Sequence, residues 1–193
     1  MAQNGEVEKR KSYEKQLQWN GDLTPAVEKF VHQLIETQAI ENPTSQAICS
    51  WDGNLTYADL DNLSSRLANH LFTKGIVPET IVPLCFEKSL WTIVSLLGVL
   101  KAGGAFLMLD PSQPAGRLEA IVKQTGARFM LASRTCEESC RGFVEKVLVV
   151  DADTLVGLES SGYSSSVRLD NAAYYIFSSG STGAPKGIIS KYI

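Results

Sequence analysis

Hydrophobic positions along the chain follow two different spacings. Short apolar runs, typical of buried strands, occur at 47–51, 81–86, 105–109, 129–131, 147–150 and 172–177. Between most of these runs, apolar residues recur every three or four positions, as they do on the buried face of an amphipathic helix. The two spacings alternate, so the sequence predicts strands that alternate with helices.

Several residues mark where the helices begin and end. Thr56 and Asp59 form a capping-box-like pair at the start of one helix, and Gly75 ends it. Pro25 and Pro114 open two others. Helices are predicted at 25–42, 56–75, 89–102, 114–126 and 135–143, and the polar, serine-rich residues 151–170 are predicted to form a loop. The expected buried faces are Val27, Phe30, Val31, Leu34 and Ile35 in the first helix, and Leu60, Leu63, Leu67 and Leu71 in the second.

This order of elements predicts an α/β fold with a doubly wound, mainly parallel sheet flanked by helices. Because the pattern begins at residue 25, we expect residues 1–24 to be a leader or interdomain linker and residues 25–193 to form one domain. Ligands of such sheets bind outside the carboxyl ends of the strands. The loop that follows the last apolar run is therefore the expected place for a ligand site.

The composition restricts the class of partner. The 193 residues carry a formal net charge of −3, which gives no reason to expect binding to nucleic acid or to an anionic membrane. The first 18 residues lack the apolar core of a secretory signal. The apolar stretch at 90–100 is shorter than the ~20 residues that span a bilayer. We therefore expect a cytoplasmic location, no metal site, and free thiols at Cys49, Cys85, Cys136 and Cys140.

The most informative stretch runs from Tyr175 to Gly187. Its apolar part ends at Phe177 and is followed by hydroxyl side chains, glycines and a single cation. Glycines bring backbone N–H groups close to a ligand, and N–H groups, hydroxyls and a lysine together suit a polyanion such as phosphate. The predicted phosphate-binding residues are Ser178, Ser179, Gly180, Ser181, Thr182, Gly183 and Lys186.

Two other interpretations compete with a phosphate-binding loop. A connector rich in serine and glycine is most often a flexible turn. A plain connector, however, needs neither the Pro-Lys-Gly ending at 185–187 nor the two isoleucines at 188–189. The Walker pattern also fails, because the position five residues after Gly180 is Pro185. The stretch therefore predicts a loop that grips a triphosphate but is not the P-loop of an ordinary NTPase.

The string Ser-Ser-Gly-Ser-Thr-Gly-Ala-Pro-Lys-Gly at 178–187 closely resembles the phosphate-loop signature of the AMP-forming adenylating enzymes. This superfamily includes acyl-CoA synthetases, luciferases and the adenylation domains of nonribosomal peptide synthetases. The one departure is Ser178, where the signature usually has threonine. Residues 55–60 and 100–111 resemble the first and second motifs of the family. Residues 47–57 and 82–89 look especially like fungal peptide synthetases.

The resemblance implies that residues 25–193 are a truncated adenylation domain, the first part of its large N-terminal subdomain. The implied reaction is attack of an amino acid or another carboxylic acid on the α-phosphorus of ATP, which gives an acyl-adenylate and pyrophosphate. ATP and Mg²⁺ are the implied ligands. The acyl group would then pass to phosphopantetheine on a carrier domain, and carrier and condensation domains are the implied partners. The family's catalytic lysine and its acid pocket lie downstream of the phosphate loop, so no residue here is assigned a catalytic role.

Two alternatives remain open. The chain could be an inactive remnant or an interaction module that completes itself against a complementary fragment. It could also be a piece of an acyl-CoA ligase, since the preference for peptide synthetases rests on resemblance alone. We expect the 193-residue chain by itself to form no adenylate, and we expect uncovered apolar faces that favour association.

Overall fold

The computed structural model describes residues 27–159, 165–179 and 185–192, so the expected leader at 1–24 lies outside the described residues. The helices are α1 (Val31–Glu41), α2 (Tyr57–Thr73), α3 (Leu90–Ala102), α4 (Ala115–Thr125), α5 (Glu137–Cys140) and α6 (Ala152–Val156). The strands are β1 (Gln46–Ser50), β2 (Gly53–Thr56), β3 (Ile81–Cys85), β4 (Ala105–Leu109), β5 (Phe129–Ala132), β6 (Lys146–Val149), β7 (Ala172–Ser179) and β8 (Pro185–Lys191). Strands and helices alternate from β3 to β7, as the hydrophobic pattern predicts.

Six strands form the main sheet in the order β6-β5-β3-β4-β7-β8. Neighbouring strands are parallel except for β7 and β8, which form an antiparallel hairpin. β1 and β2 pair in a separate two-stranded antiparallel sheet. After β4 the chain crosses β3 to add β5 and β6 on one side, and it then returns to add β7 on the other, as in a doubly wound fold. The prediction of a mainly parallel α/β sheet flanked by helices is confirmed.

Apolar side chains pack on both faces of the main sheet. The first core lies under α2 and α3, and it contains Leu60, Leu67, Leu71, Val82, Leu84, Val94 and Leu131. The second core lies under α4 and α5, and it contains Cys85, Leu107, Leu118, Ile121, Met130, Cys136 and Cys140. The buried face predicted for α2 is confirmed, with Leu63 only partly buried.

Local signals account for three helix ends. The Asp59 N–H donates to the Thr56 hydroxyl while the Thr56 N–H donates to the Asp59 carboxylate, so the predicted capping box at the start of α2 is confirmed. Gly103 ends α3 at φ 93° and Gly126 ends α4 at φ 65°. Both angles are in the left-handed region, which glycine adopts without a steric cost.

The sequence analysis placed the start of the first helix too early in the chain. Residues 27–30 are not helical and α1 begins at Val31, so Val27 and Phe30 precede the helix. Val27, Val31 and Leu34 are exposed rather than buried. Among the described residues, no side chain caps the start of α1. The apolar spacing extends to residues before Val31, and no capping signal in the sequence marked the true first residue of the helix.

Two further boundaries are also wrong. The helix predicted at 135–143 is only the single turn α5, because Arg141 leaves the helical conformation and Gly142 has φ 92°. The loop predicted at 151–170 contains the short helix α6, which is started by a capping box between Asp151 and Thr154. The polar composition of this segment concealed the apolar anchor of α6, the buried Leu155.

Candidate functional site

The carboxyl ends of the parallel strands meet at one edge of the main sheet, and polar residues follow each of them. Glu87, Asp110, Ser133 and Asp151 come after β3, β4, β5 and β6. The strand β7 ends at the same edge with Ser178 and Ser179. Because ligands of doubly wound sheets bind at this edge, the topology brings Ser178 and Ser179 to the expected side of the sheet.

Part of the stretch predicted to be a loop is strand. β7 continues to Ser179 and β8 begins at Pro185, so only residues 180–184 connect the two strands. The apolar run ends at Phe177, but Ser178 still pairs with Lys186 and Ser179 with Pro185. Backbone pairing extends the hairpin beyond its apolar side chains, which the hydrophobic pattern could not show.

Ser178 and Lys186 are the predicted site residues whose side chains are described. They lie directly opposite each other in the hairpin, and the Ser178 hydroxyl donates a long hydrogen bond of 3.5 Å to the Lys186 carbonyl oxygen. Both residues are exposed. Opposite residues in a ladder project from the same face of a sheet, so a hydroxyl and an ammonium group share one face at the tip of the hairpin.

The remaining predicted contacts stay predictions. Gly180, Ser181, Thr182 and Gly183 lie outside the described residues, as does the side chain of Ser179. The flanking strands nevertheless fix where the connecting segment starts and ends. β7 ends at Ser179 at the carboxyl edge of the sheet, and β8 begins at Pro185, which pairs with Ser179. Five residues, 180–184, connect the two.

A crevice of about 470 Å³ opens between β4 and β7, beside the hairpin. The two strands pair only at Phe106–Tyr174 and Leu107–Tyr175, so they separate toward their carboxyl ends. Polar groups on the crevice wall belong to Asp110, Gln113 and Arg117, and aromatic rings to Tyr175 and Phe177. Mostly apolar walls with a few polar groups are typical of small-molecule sites.

Glu87 and Asp110 are two of the carboxylates at this edge whose pKa values lie below their usual range. Burial raises the pKa of Glu87, but hydrogen bonds outweigh burial, chiefly one of 2.5 Å from the Ser133 hydroxyl. The hydroxyl and N–H of Ser112 donate to Asp110 and lower the pKa of that carboxyl. Both groups are therefore charged at neutral pH. A polyanion at this edge needs close contact with a cation such as Lys186, or a divalent ion bound together with it.

The described residues also bear on a bound metal ion. Within ranges 27–159, 165–179 and 185–192, no group of three or more His, Cys, Asp or Glu side chains is arranged to hold one. Mg²⁺ that accompanies a nucleotide needs only one or two protein carboxylates, because phosphate oxygens and waters supply its other ligands. A hydroxyl, a lysine and nearby carboxylates at one edge therefore fit Mg-ATP better than a metal held by protein alone.

A larger cavity, about 580 Å³, lies at the opposite edge of the sheet. Its lining includes Ile81, Phe129 and Lys146, which stand at the amino ends of β3, β5 and β6. The length of the parallel strands separates this cavity from the hairpin tip. The candidate site is therefore chosen from the polar and charged residues of the hairpin and not from the size of the cavities.

An aromatic contact at the base of the hairpin was missed by the sequence analysis. Tyr192, directly after β8, packs edge-on against Phe30 with ring centroids 4.9 Å apart. Phe30 stacks on His32 at 5.2 Å, and His32 lies 6.2 Å from Tyr192. The rings come from opposite ends of the described chain, so no local pattern could have found the contact.

Comparison with known proteins shows the family to which the chain belongs. A sequence profile described as "AMP-binding enzyme" matches residues 35–192, most of the chain, and spans both strands of the hairpin. The chain belongs to the AMP-binding enzyme family. The resemblance seen in the phosphate-loop signature is confirmed, and the family assignment supports an AMP-forming ligase.

In the described part of the chain, no helix has the length and apolar content needed to cross a bilayer.

Similar curated proteins are fungal peptide synthetases. The chain is 48% identical over 172 residues to nonribosomal peptide synthetase TES of Alternaria alternata, a match that covers 88% of the chain and 3% of that protein. It is 46% identical over 190 residues to nonribosomal peptide synthetase fmqA of Aspergillus fumigatus, covering 93% of the chain and 5% of that protein. The chain thus spans only a small part of the length of these relatives.

Solved structures agree on the fold. The AMPPNP-bound form of the nonribosomal peptide synthetase FmoA3 superposes with a TM-score of 0.78 at 26% identity, covering 88% of this chain and 18% of that one. The N-terminal subdomain of NpsA from Klebsiella oxytoca superposes with a TM-score of 0.74 at 22% identity, covering 85% and 42%. The fold is therefore that of the first part of an adenylate-forming N-terminal subdomain.

Proposed function

We propose that the natural polypeptide containing this chain activates an amino acid or another carboxylic acid as an acyl-adenylate, for nonribosomal peptide or related secondary-metabolite synthesis in the cytoplasm. One observation carries the proposal: Ser178 and Lys186 face each other at the tip of a hairpin on the carboxyl edge of the sheet. Family membership and the fungal relatives support the same reaction class.

In this proposal, a carboxylate oxygen of the acid attacks the α-phosphorus of ATP and pyrophosphate leaves. The protein groups that would hold the β- and γ-phosphates are the hydroxyls of Ser178, Ser179, Ser181 and Thr182, the N–H groups of Gly180 and Gly183, and the ammonium group of Lys186. Mg²⁺ bound with the nucleotide would neutralise part of the phosphate charge. The hairpin contributes by positioning ATP and stabilising the charge on the departing pyrophosphate.

The acyl group would next pass to the thiol of phosphopantetheine on a carrier domain, which makes carrier and condensation domains the expected partners. Sequence identities of 40–48% to peptide synthetases support this acceptor. The anthranilate CoA ligase AuaEII shares the fold at a TM-score of 0.75 but only 20% of the sequence. Transfer to CoA is therefore the less favoured version of the proposal.

A second candidate function is a non-catalytic module that binds a complementary chain. The observation in its favour is apolar surface on the hairpin: Ile176 and Ile188 lie opposite each other and are each 53% exposed. The outer strand β8 is also an edge of the sheet. Exposed isoleucines on an edge strand are a ready surface for association.

Exchange of labelled pyrophosphate into ATP, with Mg²⁺ and mixed amino acids, tests the first proposal on the natural polypeptide. Lys186→Ala should lower the exchange rate about 10- to 100-fold, as expected for loss of a charged hydrogen bond. Lys191→Ala, at the base of the same strand, is the matched control and should leave the rate unchanged.

The outcomes separate the two candidates. Wild-type exchange in Lys186→Ala would overturn the phosphate-binding role. Absence of exchange from the natural polypeptide, together with a stable complex with another chain, would favour the non-catalytic module.

A further inference from the structure

An aromatic contact at the base of the hairpin joins Tyr192 to Phe30 and His32. We infer that Tyr192 is a positioning residue: its ring fastens the end of β8 to α1 and thereby holds Lys186 in place at the other end of the strand. This inference rests on the proposed function, because it takes Lys186 to be the cation that contacts the ATP phosphates.

The strand that carries Lys186 has little support from the rest of the fold. Among the described residues, β8 is the outermost strand of the sheet, and its backbone pairs with β7 alone. Its two isoleucines do not bury well, with 53% of Ile188 and 55% of Ile189 exposed. Edge strands with few buried contacts open locally at low free-energy cost. A contact at the end of β8 therefore has a large effect on how well the strand is held.

Tyr192 supplies such a contact. Its ring lies edge-on to Phe30 at 4.9 Å, a favourable geometry for two aromatic rings. Its ring centroid also lies 6.2 Å from that of His32, and His32 is buried, with only 7% of its surface exposed. Burial raises the pKa of the Tyr192 hydroxyl, which is consistent with a ring that is packed rather than solvated.

The element that receives Tyr192 is itself firmly held. Glu36 on α1 lies 3.6 Å from the ammonium group of Lys101 on α3, and that group lies 2.5 Å from Asp61 on α2. The middle of α1 is thus connected to the two helices that cover the first core. Tyr192 therefore packs against the first residues of a helix that is itself tied to the first core.

The geometry of a strand carries the effect from one end to the other. Lys186 lies near the start of β8, and Tyr192 directly follows the last residue of the strand, so β8 connects the two residues. They are six residues apart, which corresponds to roughly 20 Å at about 3.3 Å per residue. Release of the base would let β8 separate from β7 and would spread the positions of the Lys186 ammonium group. A less preorganised cation binds phosphate more weakly.

The contact depends on the ring and not on the hydroxyl. The Tyr192 oxygen is buried and has no hydrogen-bond partner among residues 27–159, 165–179 and 185–192. Tyr192→Phe therefore keeps the packing, whereas Tyr192→Ala removes it. Phe30→Leu tests the same contact from the α1 side. Phe143→Ala is a control, because it removes a partly buried ring from the second core, away from the hairpin.

The experiment measures amide hydrogen exchange in β8 and the Kd for the ATP analogue AMPPNP, both on the natural polypeptide. Tyr192→Ala and Phe30→Leu should speed exchange in β8, leave α2 protected, and weaken AMPPNP binding about tenfold, a loss of about 1.4 kcal/mol. Tyr192→Phe should match the wild type in both measurements. Phe143→Ala should lower overall stability without selectively affecting β8 or the Kd.

Each outcome decides the inference. Wild-type exchange and binding in Tyr192→Ala would overturn it, and so would equal impairment in Tyr192→Phe. If Lys186→Ala does not weaken AMPPNP binding, the proposed function fails and the positioning role fails with it. Hydrogen exchange in Tyr192→Ala would still show in that case whether Tyr192 anchors the strand, so the two failures can be told apart.

Discussion

The ammonium group of Lys101 lies 2.5 Å from an oxygen of Asp61, inside the contact between α3 and α2. It also lies 2.9 Å from the Ser65 hydroxyl and 3.6 Å from Glu36 on α1. The lysine side chain is fully buried, whereas the two carboxylate side chains are 34% and 35% exposed. One buried cation thus connects three helices.

Lys101→Ala should lower the free energy of unfolding by about 3 kcal/mol. This is the lower end of the range for breaking a buried ion pair, because both carboxylates retain access to water. Urea denaturation of the variant measures the loss. Lys123 forms an exposed pair with Glu119 on α4, so Lys123→Ala is the control and should cost less than about 0.5 kcal/mol. Similar losses in the two variants would contradict a structural role for the buried pair.

Stability should fall in acid because of His32. Burial, followed by the charge of Lys101, lowers the pKa of His32 from 6.5 to about 4. The unfolded chain therefore takes up a proton near pH 6.5 while the folded chain stays neutral until about pH 4. The contribution of this residue is complete above pH 6.5 and is lost as the pH falls toward 4, by up to about 1.4 kcal/mol per pH unit.

Urea unfolding at pH 7 and pH 5 measures this effect. His32→Gln should show a smaller stability difference between the two pH values than the wild type, because its side chain does not titrate. The carboxylates titrate in both proteins, so they cancel in the comparison. An identical pH dependence in the variant would show that His32 does not contribute.

Two helical glycines should respond to alanine in opposite directions. A Cβ at Gly98 on α3 would lie 2.8 Å from the side chain of Leu67, which is fully buried and cannot move aside. Gly98→Ala should therefore destabilise the fold by about 1–3 kcal/mol. A Cβ at Gly116 on α4 meets no atom within 4 Å, so Gly116→Ala should stabilise it by about 0.5 kcal/mol. Thermal unfolding of both variants measures the direction of each change in stability. A Gly98→Ala variant as stable as the wild type would argue against close packing of α2 on α3.

The order of the elements could be predicted because several local signals coincide. β4 was predicted with its observed bounds, since a glycine pair precedes it and a proline follows it. The start of α2 was predicted from the side chains of Thr56 and Asp59, whose hydrogen bonds are formed within four residues. For these two elements, the short-range signals were sufficient.

Several of the features that were missed depend on long-range contacts. The ion pair of Lys101 joins residues 40 positions apart, a distance that no local spacing reveals. The hairpin extends past Phe177 because β8 supplies backbone partners, which hydrophobicity does not encode. The aromatic contact of Tyr192 joins the two ends of the described chain. For the phosphate-binding residues at 180–183, the chemistry of the sequence remains the basis of the prediction.

Ser178 offers a direct test of how the hydroxyls contribute. It stands where the family signature usually has threonine, on an exposed strand position opposite Lys186. Threonine keeps the hydroxyl and suits a β-strand. Ser178→Thr should therefore leave the Kd for AMPPNP within about twofold of the wild-type value. Ser178→Ala removes the hydroxyl and should weaken binding about three- to tenfold, as expected for one neutral hydrogen bond. Ser190→Ala, near the base of the same strand, is the matched control. Wild-type affinity in Ser178→Ala would mean that this hydroxyl does not contact the nucleotide.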